Sequence, residues 1–512
     1  MITADKEAKK ILFISVQENL SVIGLKSIHY FLLKNGYRSH LLYLPRFNPE
    51  NLHALKRIGE FVARVNPRFI GVSLMSPEFN NARVISEYLK KRFPAVPIIW
   101  GGTHPTITPE SCFPFADYVC IGEGERTALD LANAFAGGQD IKKIRNLCYK
   151  EGGTIRKNPL YPLIDNLDEL PYFEHVPVSG FLQKPGGEIR RIDERVFRKE
   201  SKWQGKMYEL MTSRGCVFSC SFCCNNLFSK LYANNRKVRK RSVKSIISEL
   251  ESTLKNNPGI AIVHFQDDTF LSRSEEYLAE FSAAYKNKIR KPFIIHTIPI
   301  YINRNKLRLL KNAGLAWINM GLQSGSDRVC RDIYKRKSLK KHFLKGSELI
   351  KEFKIASKHD VILDNPFESE KDTLDTVEAL IEARKPFLVD FYSLTFYPGT
   401  ELYEKASAEC PERIEDCRIK SYRQYSCNTI NTLARFAVCL PETPMRAILR
   451  IYKANPRNFL FKIIFFISGF LYKIYYQPAT FLKILKMAHE NSYVKAAQNF
   501  SMYYKEWTNR KW

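Results

Sequence analysis

At 512 residues, with 45% hydrophobic and 13% aromatic side chains, the chain is long enough for two or three cored domains and too apolar to be disordered. Eighty Lys and Arg against fifty-two Asp and Glu leave a formal charge of +28. That balance favours an anionic partner (nucleic acid, an anionic membrane surface or a phosphorylated substrate) or else a solvated basic surface. Twelve cysteines without a disulfide-like framework point to a reducing, cytoplasmic compartment, and the polar start Met1–Lys10 does not read as a signal peptide.

The first 140 residues alternate between two periodicities. Short continuous apolar runs at Ile11–Val16, Ser39–Leu44, Phe69–Leu74, Val96–Trp100 and Tyr118–Ile121 suit buried parallel strands. Helical spacing at Leu20–Asn35, Asn51–Val65, Asn80–Arg92 and Arg126–Ala136 falls between or after them, and Gly36 supplies a C-terminal stop for the first. This alternation predicts an α/β, doubly wound (Rossmann-like) sheet, whose ligands sit outside the carboxyl ends of the strands. The loops at those ends contain Ser73, Gly101-Gly102 and Gly122-Glu123-Gly124, where glycine lets a bulky ligand approach the backbone. A lone His104 before proline reads as a loop hydrogen bonder. Residues 141–205 are less regular and read as a linker, with a small hairpin at Asn146–Lys150 and Thr154–Arg156, and a charged cover or loop at Gly186–Lys206.

From residue 206 a second alternation begins. Apolar segments at Met207–Met211, Ala261–Phe265, Phe293–Thr297, Trp317–Met320, Ala356–Leu363 and Phe391–Leu394 are separated by helical stretches, which predicts a partial (β/α)6 barrel over 206–405. Functional residues of such barrels lie on the loops after the strands. The loop after the first strand holds Cys216, Cys220 and Cys223 in a C-x3-C-x2-C spacing, with Phe222 just before the last. Three thiolates on one tight loop suit three corners of an iron–sulfur cube and leave the fourth iron open. Zinc is the competing occupant, although zinc knuckles usually add a second C-x2-C unit or histidines.

The cysteine loop resembles that of the radical S-adenosylmethionine (SAM) superfamily, and later segments resemble the same family in order. These are Arg241-Ser242 with Glu249, Phe265-Gln-Asp267-Asp268-Thr-Phe270, Met320-Gly-Leu-Gln323-Ser324-Gly, Asp360–Glu370 and Pro398-Gly-Thr-Glu-Leu402. The resemblance implies a [4Fe-4S] cluster on Cys216, Cys220 and Cys223, and SAM contacts at Phe222, Asp267, Gln323 and Ser324. Asp267 is preferred over Asp268 for the methionyl amine, because a helix cap explains Asp268 nearly as well. Gln323 stands where the family's usual residue is glutamate and supplies no charge. Cys224 is left out of the ligand set.

With the cysteine loop downstream, the N-terminal domain resembles the cobalamin-binding domain of B12-dependent radical SAM enzymes. Cobalamin contacts are implied at Ser73, Gly101, Gly102, Gly122, Glu123 and Gly124. The loop Gln17–Gly24 lacks the D-x-H-x-x-G histidine, so this resemblance implies cobalamin without that axial ligand. The family's chemistry cleaves SAM to a 5′-deoxyadenosyl radical with an electron from a donor such as flavodoxin or ferredoxin, and its cobalamin branch commonly methylates carbon. The expected function is C-methylation of a lipid-like or secondary-metabolite substrate. A radical cyclase or oxidase and a non-catalytic metal-binding membrane adaptor are the alternatives.

Residues 406–512 read as a helical, basic extension. From Pro441 to Trp512 twelve basic residues face three glutamates, around the aromatic run Asn458–Tyr476. The ten uncharged residues between Lys462 and Lys473 are too few to span a bilayer. They suit an interfacial helix on anionic lipid at the inner face of the membrane, or a buried helix roofing the barrel. Their hydrophobic density argues against a nucleic-acid partner.

Overall fold

A computed structural model describes residues 10–419 and 422–456. The aromatic run at Asn458–Tyr476, with its membrane reading, lies outside the described residues. Among those described, no helix is long and apolar enough to cross a membrane.

Two sheets carry the fold. The first has nine strands: β1 (Lys10–Ser15), β2 (Arg38–Tyr43), β3 (Ile70–Ser73), β4 (Ile98–Gly101), β5 (Tyr118–Cys120), β6 (Leu147–Glu151), β7 (Thr154–Lys157), β8 (Gly180–Gln183) and β9 (Ile189–Arg191). They lie in the order β7-β6-β5-β4-β3-β1-β2-β8-β9, with β1 to β5 and β8 parallel and β6, β7 and β9 antiparallel to their neighbours. Each face buries an apolar layer. Helices Leu52–Val65 and Phe79–Arg92 cover Leu12, Ile14, Val72 and Trp100, and helices Ile23–Lys34 and Glu125–Gly137 cover Ile11, Phe13, Leu41 and Ile99. Continuous apolar strands are what burial on both faces requires. Asn51 caps helix 52–65 by accepting from Ala54 N, and Asn66 ends it at φ 50°.

The reading of 141–205 as a linker needs correction. Four of its strands extend the first sheet, the hairpin β6–β7 beyond β5 and the pair β8–β9 beyond β2. Edge strands with one exposed face alternate weakly, so this stretch lacked the apolar runs that marked the centre of the sheet.

The second sheet has six parallel strands in sequence order: β10 (Met207–Leu210), β13 (Ile262–Phe265), β14 (Phe293–Thr297), β15 (Leu315–Gln323), β16 (Ala356–Leu363) and β17 (Leu388–Ser393). A two-stranded ribbon, β11 (Ser213–Arg214) with β12 (Arg239–Lys240), brackets the cysteine loop. The main core lies between the sheet and its helices. A separate floor of Met207, Ile262, Ile294, Trp317 and Ala356 fills the inner side. Arg241 and Glu249 form a buried ion pair, and Tyr208 Oη donates to Glu249 at 2.5 Å. Helices Thr429–Cys439 and Glu442–Ala454 of the extension bury Leu433, Ala437, Met445 and Leu449 in the same core, so this part of the extension completes the outer layer of the barrel.

Candidate active site between two sheets

The carboxyl ends of the two sheets face each other across a cavity of about 920 Å³, at the upper end of the range for small-molecule sites. One wall holds Ser73, Gly101, Gly102, Gly122, Glu123 and Gly124, all named from sequence. The opposite wall holds Arg214, Cys216, Cys223, Cys224, Asn225 and Asp268.

Two glycines on the first wall are required by geometry. Gly102 has φ 106°, and a Cβ there would sit 2.7 Å from Leu74 O. Gly122 has φ 76°, and its Cβ would meet Tyr232 Oη at 2.1 Å. Gly101 differs, because its nearest neighbour would be Cys120 Cβ at 3.7 Å. Gly102→Ala is therefore expected to cost about 1–3 kcal/mol of stability and to deform the β4 loop, whereas Gly101→Ala stays close to wild type in stability. Denaturant unfolding and optical titration with hydroxocobalamin measure both effects.

The cysteine loop is pinned from below. Ser221 N donates to Tyr334 O at 3.0 Å, Ser221 Oγ to Ile333 O at 2.6 Å, and Leu402 N to Ser221 O at 3.0 Å. Cys220 is buried, and Cys223 immediately precedes helix Cys224–Leu231. Burial pushes the Cys216 thiol up to about 12, and Cys216 and Cys223 both line the cavity. Among the described residues no three His, Cys, Asp or Glu side chains converge on a single-ion site. A cubane spreads its ligands over separate irons, and three thiols on one short, anchored loop fit that demand.

Four residues assigned to cofactor contacts are not brought to the cavity. Phe222 packs edge-on against Tyr334 at 5.0 Å, within a cluster around Val329, Leu394 and Phe396. Asp267 is enclosed by donors: Thr212 N at 3.0 Å, Thr212 Oγ1 at 2.7 Å and Ser213 Oγ, with Arg273 Nη2 at 3.5 Å. The preference for Asp267 is thus reversed, and Asp268 is the carboxyl that faces the cavity. Burial raises the Asp268 carboxyl against an opposing hydrogen bond from Asn225. Gln323 ends β15 at φ 68°, which turns the chain toward helix Glu370–Glu382. There Ser324 is fully buried 3.3 Å from Thr376 Oγ1. Asp267→Asn is expected to lower stability by about 3 kcal/mol, since it leaves Arg273 buried without its counter-charge. Asp268→Asn should spare stability and weaken SAM binding, which equilibrium dialysis and denaturant unfolding separate.

His104, expected as a loop hydrogen bonder, makes such bonds but lies in the short helix Thr103–Ile107, not in a loop. It is buried against Ser76 Oγ (2.9 Å) and Ser111 Oγ (3.1 Å), and burial holds it near 4.

The sequence did not reveal the polar clamp joining the two walls. Arg214 Nη2 bonds Glu125 Oε1 at 2.5 Å and Ser27 Oγ at 3.1 Å, and its Nη1 reaches Glu123 at 3.2 Å. Arg239 adds a 2.7 Å contact to Glu123. Glu123, expected to touch the cofactor, instead spends its carboxylate on two arginines and on Ile164 N. Arg214 stands two residues before Cys216, so the clamp ties the cluster loop to the glycine loop.

The barrel's inner wall is polar above its apolar floor. His264 Nε2 and His296 Nε2 are 2.8 Å apart, Gln266 donates to Glu209 at 2.6 Å, and Lys358 pairs with Asp390 at 2.6 Å. Burial alone would raise the Glu209 carboxyl, but the His264 contact overrides it and lowers it to about 2, and burial holds His296 well below its ordinary value. At that separation one imidazole nitrogen donates to the other. Glu209 and Gln266 also line the cavity, which makes this wall continuous with it.

Comparison with known proteins agrees with the geometry. The model of the radical SAM superfamily matches residues 210–380, and that of the B12 binding domain matches residues 9–132. An uncharacterized methyltransferase of Pyrococcus horikoshii is 28% identical over 358 residues, covering 69% of this chain and 72% of its own length. The anaerobic magnesium-protoporphyrin IX monomethyl ester cyclase of Cereibacter sphaeroides is 21% identical over 369 residues, 68% of this chain and 55% of its own. The fold is that of the cobalamin-dependent SAM radical enzyme OxsB, whose structure holds aqua-cobalamin and SAM. The TM-score is 0.66 at 14% identity, covering 98% of this chain and 80% of that one. The chain belongs to the radical SAM superfamily, among the enzymes that carry an N-terminal B12-binding domain.

Proposed function

We propose that the protein is a cobalamin-dependent radical SAM methyltransferase acting on a small polar metabolite. One observation carries the reading: a single cavity is walled by the glycine loops of a B12-binding domain and by the cysteine loop of a radical SAM barrel. When bound, the cluster with SAM supplies hydrogen abstraction and cobalamin supplies the methyl carrier. Cys216, Cys220 and Cys223 would hold the cluster, and Ser73, Gly101, Gly102, Gly122 and Gly124 would cradle the corrin. The loop residues Gln17 and Asn19 line the cavity, and among the described residues no histidine does.

The chain's own residues position and exclude. The Arg214 clamp keeps the two walls in register, Asp268 offers a carboxyl to an amine in the cavity, and the floor closes the far end of the barrel to water. The inner wall favours a substrate with hydrogen-bonding groups over the lipid-like one expected from the C-terminal run. An alkyl chain laid against Glu209, His264, His296 and Lys358 would strip their hydration at a cost of several kcal/mol. A low-potential one-electron donor completes the scheme.

The relationship to the cyclase supports a second reading, radical cyclisation or oxidation without methyl transfer. Product mass separates the two, a methyl gain against a loss of hydrogen. Cobalamin dependence is tested by anaerobic reconstitution of the full chain with hydroxocobalamin: the reading expects near-stoichiometric uptake, and a cluster-loaded protein that takes up none contradicts it.

A further inference from the structure

Tyr232 belongs to the barrel but is seated on a glycine loop of the first sheet. It closes helix Cys224–Leu231, the helix that leaves the cysteine loop, and it lines the cavity in a half-buried position. Its Oη occupies the space that a Cβ on Gly122 would need, 2.1 Å from that point. Glu123 N donates to the same oxygen at 3.4 Å. Gly122 is therefore glycine because a phenol stands against it, and that phenol shares the wall proposed to cradle the corrin.

Two side-chain hydroxyls cap successive N–H groups of this loop, and they differ in what remains of their own protons. Gly122 N donates to Thr106 Oγ1 at 3.1 Å, and Thr106 gives its proton to Gly102 O at 2.7 Å, so that hydroxyl is fully used. Tyr232 Oη accepts from Glu123 N in the same way, but among the described residues no acceptor takes its proton. A phenol both donates and accepts, and a partly buried one gains from making both bonds. Because Tyr232 lines the cavity, a bound ligand can supply the missing acceptor.

We propose that Tyr232 is a cobalamin-binding residue supplied by the barrel, and that its hydroxyl donates to a carbonyl oxygen of an amide side chain on the corrin rim. The inference rests on the assignment of the glycine loops to cobalamin. One short helix then carries Cys223 at its start and the corrin contact at its end.

The test is anaerobic optical titration of the reconstituted full-length protein with hydroxocobalamin, with iron content measured in each sample. Tyr232→Phe keeps the ring and removes the donor. Its dissociation constant should rise about fivefold, equivalent to the ~1 kcal/mol of one neutral hydrogen bond, at unchanged iron content. Tyr232→4-aminophenylalanine, which keeps the ring and a donor, should recover most of that loss. Wild-type affinity in Tyr232→Phe overturns the proposal, and weakened binding of S-adenosylhomocysteine in that same protein would assign the hydroxyl to SAM instead. Equal losses in the two variants also overturn it, in favour of a role in accepting the Glu123 N–H. If Tyr232→Phe fails to fold, Tyr232→4-aminophenylalanine decides: affinity close to wild type supports the donor, and a loss at full iron content overturns it. Wild-type protein that takes up iron but no cobalamin defeats the underlying assignment instead.

Discussion

Cys220→Ala is expected to remove the cluster and with it SAM cleavage, by at least about a thousandfold, or about 4 kcal/mol of barrier. No acid or base in the cavity can replace a radical step on an unactivated carbon–hydrogen bond, so the loss should reach background. Cys216→Ala and Cys223→Ala should behave alike, because each removes one of three corners. Cys224→Ala is the informative contrast. Cys224 lines the cavity, yet it begins helix Cys224–Leu231, and the proposed ligand set does not require it. Iron analysis of the four variants after anaerobic reconstitution should show three without a cluster and one with it. Equal iron in Cys220→Ala and wild type would contradict the ligand assignment.

Arg214→Ala should be the most damaging substitution outside the cysteines. It leaves Glu125, which is almost wholly buried, without its arginine and Glu123 with Arg239 as its remaining one. Breaking a buried pair from one side typically costs about 3–5 kcal/mol. The two walls should also lose register, so cobalamin uptake ought to fall although Ser73 and the glycines proposed to cradle the corrin are unchanged. The pH dependence has a definite sign. Burial alone would raise the Glu125 carboxyl, but the Arg214 charge and hydrogen bond override it and leave it below its ordinary value. A depressed carboxylate stabilises the fold above its unfolded pKa and loses that contribution as pH falls through the folded one. The clamp should therefore hold at neutral and mildly acidic pH and fail only on acidification below the ordinary glutamate range. Denaturant unfolding of wild type and Arg214→Ala across that range measures it: the gap between them should narrow only at the acid end.

The strands of both sheets were legible because each central strand is a short apolar run between turn residues, which burial on two faces demands. The edge strands β6 to β9 are less legible, since one open face dilutes the run, and only the β6–β7 hairpin leaves a pattern in the sequence. At the site, the glycines of β4 and β5 and the cysteine triplet could be located because each is tied to local backbone or ligand geometry. The clamp could not. Arg214 and Glu125 are 89 residues apart, and sequence gives no sign that two sheets will face each other. The choice between Asp267 and Asp268 was likewise undecidable locally, because adjacent residues at a strand end point in opposite directions, one toward Thr212 and Arg273 and one into the cavity.

The shared cavity is tested most directly by the fate of SAM in full-length protein loaded with cluster and cobalamin under reducing, anaerobic conditions. The geometry calls for formation of 5′-deoxyadenosine that depends on Cys216, Cys220 and Cys223 and is weakened in Asp268→Asn. A protein carrying both cofactors that leaves SAM intact after reduction would contradict it.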